Sequence, residues 1–200
     1  MSSSSSSPST VTDVDDSVLI VVDVQRSFLN KLDADAEAPL IDRIGWIVGI
    51  AATLGVPIVV TAEDIDELGS TVLAVADRFP TGTSQHDKMT FGLADDPAIL
   101  AAVEDHERRT AVIVGLETDV CVMQSALGLL QRGFRVVVLS DATASPGPCH
   151  KAGIDRMRDA GVIISTVKGT FYEWVRSLDF ADAHLDPEIW TAPRPDSIHL

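Results

Sequence analysis

Residues 111–140, AVIVGLETDVCVMQSALGLLQRGFRVVVLS, constrain the fold more than any other part of the chain. Residues 111–114 form a continuous apolar run, which predicts a buried strand that stops at Gly115. Thr118 or Asp119 then suits the cap of a helix with Val122, Ala126, Leu129 and Leu130 on one face, ended by Gly133. Residues 134–139 predict a second buried strand, so the segment reads as a βαβ unit. Cys121 falls in the first turn of that helix, just beyond the carboxyl end of the strand. There, free N–H groups and the helix dipole favour a thiolate. In an open parallel sheet that edge is also where ligands bind.

The rest of the chain repeats the alternation. Residues 17–23 (SVLIVVD) and 57–61 (PIVVT) predict buried strands. Between them, Leu40, Ile44, Ile47, Val48 and Ala51 recur at helical spacing until Gly55. Asp95 or Asp96 begins a helix with Pro97 in its first turn, reaching about Glu107. Residues 148–160 predict a helix, 162–166 a further strand, and the segment from Phe171 a short helix followed by irregular packing. Residues 63–87 are the least regular region, with a helical patch around 72–77. A loop of that length is usually functional or a subunit contact. Strands alternating with amphipathic helices predict a three-layer α/β/α domain around a mainly parallel sheet of five to six strands, with Rossmann-like topology. The serine run Ser2–Ser7 marks residues 1–13 as a disordered tail, leaving 14–200 as the domain.

Composition narrows the function. A net charge of −15 leaves little to neutralise phosphates, so neither nucleic acid nor an anionic membrane is expected as a partner. The same balance suits a protein adapted to high salt as well as an ordinary acidic enzyme. Two cysteines make no disulfide framework, no apolar stretch reaches the length of a membrane span, and the N-terminus is not a secretory signal. A cytoplasmic location is the expectation. The glycines form no phosphate-cradling pattern after the first strand, so no cofactor is expected. Trp46, Trp174 and Trp190 read as core or subunit-interface residues.

Three residues form a chemically complete set. Asp23 ends the first strand at the same sheet edge as Cys121, although taken alone it equally suits the capping of the next loop. Lys88 lies in the irregular segment QHDKMTFG, where a lone lysine is usually solvated. Together, a carboxylate can take the thiol proton and return it to a leaving amine, while an ammonium holds that carboxylate ionised.

The strings LIVVDVQRSF (19–28), DKMTFG (87–92) and VGLETDVCV (114–122) resemble, in order, the three motifs of the isochorismatase-like cysteine hydrolases. Nicotinamidases, N-carbamoylsarcosine amidases and ureidoacrylate-type amidohydrolases belong to that superfamily. The resemblance implies Asp23 as general base and acid, Lys88 as its partner and Cys121 as nucleophile. It further implies a cis peptide between Leu116 and Glu117, with the Glu117 and Cys121 N–H groups forming an oxyanion hole. Phe28 matches an aromatic that lines the family's pocket, with a core role as the open alternative.

Isochorismatases proper lack this cysteine and cleave a vinyl ether, so Cys121 points to amide, carbamoyl or ureido chemistry on a small molecule. Residues 61–72 carry Glu63, Asp64, Asp66 and Glu67 but none of the histidines of the nicotinamidase metal site, so no metal is expected and a solvated acidic loop is the reading. Segment 91–97 (FGLADDP) resembles a metal-free subgroup that forms larger homo-oligomers, and a homo-oligomer is expected here. Arg26 and Ser27 replace the family's frequent Asn-Asp pair. Cys149, which no motif claims, reads as a free thiol near a helix start. The alternatives are a nicotinamidase-like amidase, a non-catalytic binding protein, and a redox sensor pairing Cys121 with Cys149.

Overall fold

The computed structural model describes residues 10–185. Trp190 and the serine run lie outside the described residues. Six parallel strands, β1 (Ser17–Val22), β2 (Ile58–Glu63), β3 (Gln85–Lys88), β4 (Thr110–Leu116), β5 (Arg135–Ala144) and β6 (Ile163–Ser165), form one sheet in the order β3-β2-β1-β4-β5-β6. The chain works outward from β1 in both directions, so the order reverses between β1 and β4, and their carboxyl ends bound the crevice where such sheets bind ligands.

The short helices α1 (Arg26–Leu29), α3 (Ile65–Leu68) and α4 (Leu73–Ala76) lie between strands beside the longer helices that cover the sheet, and period-2 alternation sorts the core into two layers. Leu19 and Val21 of β1 face one way, with Val112 and Val114 of β4. They pack under α2 (Glu37–Thr53) and α8 (Val167–Val175), where Trp46 meets Phe171 edge to face. Val18, Ile20 and Val22 face the other way, against α5 (Pro97–Glu104), α6 (Met123–Gln131) and α7 (Cys149–Asp159). Trp46 and Trp174 are both core residues, and the Trp174 indole donates to Ser17 Oγ at 3.0 Å. Asp96 caps α5 through its side chain, with Pro97 following it. No described helix is long and apolar enough to cross a membrane.

The sequence reading misses some elements. β3 is a four-residue edge strand with the polar sequence QHDK, and it carries no apolar alternation to betray it. The second strand continues two residues past Thr61, to Glu63. Contacts with the domain begin ahead of residue 14: the buried Thr12 donates its N–H to Glu173 Oε2 at 2.7 Å.

Gly115 is where β1 and β4 press together at the site. Its φ of +125° suits glycine, and a Cβ there would sit 1.9 Å from the Val22 carbonyl oxygen.

Candidate active site

β1 ends at Val22, and Asp23 turns the chain out of the sheet with φ +49°, a region that non-glycine residues seldom occupy. The turn is held by Asp23 N–H donating to Thr61 O at 3.1 Å and by Gln25 N–H donating to Asp23 O at 2.8 Å. It aims the carboxylate back along the sheet edge. Thr61 Oγ1 donates to Asp23 Oδ1 at 2.8 Å, and Lys88 Nζ approaches Asp23 Oδ2 at 2.9 Å. Both partners of this ion pair are fully buried. Lys88 Nζ also donates to Thr90 O at 2.6 Å, so the ammonium is held between that carbonyl and Asp23 Oδ2. Each Asp23 oxygen thus has one partner, and a carboxylate oxygen carries two lone pairs, which leaves room to accept a proton.

Cys121 stands opposite, its Sγ within 4.8 Å of the Asp23 carboxylate. The sequence places it in the first turn of a helix capped by Thr118 or Asp119, and here the structure corrects the reading. Residues Thr118–Val122 make a wide π-type turn ahead of α6, with no side-chain cap. Thr118 Oγ1 instead pairs with His150 Nδ1 at 2.9 Å, and Asp119 Oδ1 accepts from Ser145 Oγ at 2.6 Å. α7 packs so tightly on this turn that a Cβ on Gly153 would lie 2.8 Å from Asp119 Cα. The turn that carries Cys121 is thus fixed by neighbours remote in sequence. The Leu116–Glu117 peptide is cis, and the Glu117 carbonyl accepts from the N–H groups of Val120 and Val122.

Electrostatics also revises the reading of a resting thiolate. Burial, then the negative charge of Asp23, push the Cys121 thiol up, and the Lys88 ammonium only partly opposes them. Asp23 is raised too, because burial outweighs the pull of Lys88 and the bond from Thr61. Burial and the flanking Asp23 charge thus favour the thiol form of Cys121, beside a carboxylate that can receive its proton.

One residue that the sequence reading places in a solvated loop belongs to the site. Glu63, the last residue of β2, pairs in register with Lys88 of β3. Cys121 Sγ donates to Glu63 Oε2 at 3.2 Å, and Lys88 Nζ lies 3.8 Å from the same oxygen. The signal was present: Thr61 and Glu63 are two apart on a strand, hence on one side, and both reach Asp23 or Cys121. The buried Gln25 holds Glu63 by its backbone, accepting from Glu63 N–H at 2.8 Å and donating to Glu63 O at 2.7 Å. Asp23, Glu63 and Cys121 have the ligand types for a metal ion, but the Lys88 ammonium already sits against both carboxylates. A metal would have to displace it or bear its repulsion.

Phe28 is a buried core residue. Lys31 lies 4.6 Å above its ring and also pairs with the Glu117 carboxylate at 3.1 Å, which ties the aromatic to the turn after β4. Cys121 and Cys149 are both free thiols, the first buried and the second exposed.

Comparison with known proteins agrees with this architecture. The sequence model of the isochorismatase domain matches residues 17–169. The secreted isochorismatase effector Isc1 of Phytophthora sojae is 32% identical over 167 residues, covering 78% of this chain and 76% of its own. The structure of MAR1 ribonuclease from Caenorhabditis elegans superposes with a TM-score of 0.81 at 25% identity, over 96% of this chain and 98% of that one. The YcaC gene product of Escherichia coli, described as an octameric hydrolase of unknown specificity, gives 0.79 at 22% identity over 93% and 96%. At that identity the likeness concerns the fold.

Proposed function

The chain belongs to the isochorismatase family, and from that premise we propose that it is a cysteine hydrolase acting on a C–N bond of a small amide, carbamoyl or ureido compound. The observation that carries the reading is the buried Asp23–Lys88 pair, 2.9 Å apart, set within 4.8 Å of the Cys121 sulfur. A buried ion pair contributes little net stability. One held beside a nucleophile, with an acceptor position free, is what proton transfer needs.

In the proposed reaction the Cys121 sulfur attacks the carbonyl carbon as its proton passes to Asp23. The Glu117 and Cys121 N–H groups receive the oxyanion. Collapse of the tetrahedral intermediate breaks the C–N bond, and Asp23 returns the proton to the departing nitrogen, leaving a thioester. Water then adds to the thioester, giving its proton to Asp23. Collapse releases the acid, and the sulfur regains a proton from Asp23. Lys88 holds Asp23 in place and offsets its charge in each ionised state, and no metal or organic cofactor takes part. Two aimed donors supply several kcal/mol of transition-state stabilisation in sites of this kind, roughly 3–4 kcal/mol each.

The nematode neighbour is named a ribonuclease. The carboxylates of Asp23 and Glu63 and a net charge of −15 oppose a phosphodiester here, so the amide reading is preferred. We extend the proposal to a homo-oligomer. Met89 and Phe91 are exposed apolar residues on either side of Thr90, whose carbonyl holds Lys88. A second copy covering them would close over the segment that carries the lysine.

The test is a panel of neutral amides, carbamoyl and ureido compounds, read by product formation and by the intact mass of rapidly quenched protein. An acyl increment on wild type that maps to Cys121 and disappears in Cys121→Ala is expected. Turnover that survives Cys121→Ala would overturn the proposal.

A further inference from the structure

Glu63 has no place in the proton path just described, yet it is hydrogen-bonded to the sulfur itself. Cys121 donates its S–H to Glu63 Oε2 at 3.2 Å, while the Lys88 ammonium, 3.8 Å from that oxygen, spends its closer contact on Asp23 at 2.9 Å. Around the sulfur there are therefore two carboxylates and one ammonium. Burial divides them by role. Asp23 and Lys88 are closed to solvent, whereas the Glu63 side chain is 20% exposed. Of the three charged groups around the sulfur, Glu63 alone reaches solvent.

Its position is also built. A strand end at a sheet edge is normally free to fray, but Gln25, fully buried, grips both the N–H and the C=O of Glu63. The same amide also donates to Gly69 O at 2.6 Å, pinning the returning loop. Register pairing with Lys88 fixes the other side. A residue with only a solvation role would need none of this.

We propose that Glu63 is a specificity-determining residue that selects neutral or cationic acyl compounds with N–H groups on the departing nitrogen, and rejects those with a carboxylate beside the carbonyl. At rest Glu63 Oε2 accepts the thiol proton's hydrogen bond. Once that proton has moved to Asp23, the same oxygen has lost its donor and accepts an N–H of the substrate instead. Primary amides, carbamoyl and ureido groups offer such N–H groups. An anionic acyl portion would bring a third negative charge against a single ammonium. The inference rests on Cys121 being the nucleophile and adds a substrate class to that reading.

The experiment needs no knowledge of the natural substrate. Cys121 is alkylated with iodoacetamide, a neutral primary amide, and with iodoacetate, its anionic counterpart, in a Cys149→Ser background. Salt of about 0.5 M shortens the Debye length to roughly 4 Å, which suppresses the field of the whole acidic protein. The rate ratio is read against the ratio for free cysteine. Wild type is expected to disfavour iodoacetate by at least about tenfold beyond free cysteine. Glu63→Gln, which keeps the shape, should bring the ratio to within about twofold of free cysteine, and Glu63→Asp should keep most of the discrimination. A wild-type ratio equal to that of free cysteine, or one that Glu63→Gln leaves unchanged, would overturn the inference while leaving Cys121 as nucleophile. If neither reagent modifies Cys121 in the folded protein, the reading of Cys121 as nucleophile falls as well, and the inference with it.

Discussion

Replacing Lys88 by methionine keeps the buried stem and removes the ammonium 2.9 Å from Asp23 Oδ2. At an effective dielectric constant of about 20, unit charges at that distance attract by about 6 kcal/mol. Removing one partner of a buried pair typically destabilises by about 3–5 kcal/mol. Asp23 limits the damage by taking a proton. Burial already raises its carboxyl, with Lys88 the main opposing influence, so without Lys88 it rises further. The sign of the pH dependence follows. An unfolded aspartate ionises above about 3.8, while the folded one in the variant holds its proton to higher pH than in wild type, and each pH unit of that difference costs about 1.4 kcal/mol. The penalty is thus smallest in acid and grows with pH, towards about 3–5 kcal/mol, the cost of a broken buried pair. A constant cost of about 1 kcal/mol adds to this, because Thr90 O loses its donor. Urea unfolding at pH 5 and pH 7 of wild type, Lys88→Met and Lys88→Met/Asp23→Asn measures both parts. The double variant should recover most of the stability at pH 7 and lose the extra slope. A penalty independent of pH, or a double variant no more stable than Lys88→Met, would refute the account of a buried charge held by Lys88.

Further outcomes are expected elsewhere in the molecule. Gly115→Ala should destabilise by more than about 3 kcal/mol, because its Cβ would lie 1.9 Å from the Val22 carbonyl; thermal unfolding reads this. His150 is held low by burial, against a smaller opposing pull from Asp119. Its neutral form is favoured in the fold, so it contributes stability above about pH 6.5 that is lost as the pH falls and the unfolded chain takes up a proton. His150→Gln should show a shallower fall in midpoint between pH 7 and pH 5 than wild type. Cys121→Ser should lower kcat by at least about a thousandfold with the fold intact, since a hydroxyl is far harder to deprotonate; circular dichroism and turnover together check this.

How much was legible in the sequence depends on how far each residue's partners lie along the chain. The β1, β2, β4 and β5 strands announce themselves through apolar runs, and Asp23 and Cys121 are placed by ending or following such runs. Lys88 was found only through its motif, because QHDK has no apolar pattern and pairs only along one edge. Glu63 escapes a reading by apolar pattern because the apolar run breaks at Thr61, while register with Lys88, 25 residues on, extends the strand. Thr118 and Asp119 read as caps on local grounds, but His150 and Ser145 compete for their side chains across 32 and 26 residues. The helix dipole argument for a thiolate was local as well. It carried no information about the burial and the two carboxylates that surround the sulfur.

The central claim is that Asp23 takes the Cys121 proton. The most direct measurement is the rate of Cys121 alkylation by iodoacetamide between pH 5.5 and 9.5, in Cys149→Ser protein with Asp23 intact or changed to Asn. The account predicts a rate that is nearly flat across neutral pH, since Asp23 supplies the base. In Asp23→Asn the flat region should be lost and the rate should climb about tenfold per pH unit, as for an unassisted thiol below its ordinary value of about 8.5. The same steep climb in both proteins would contradict the claim.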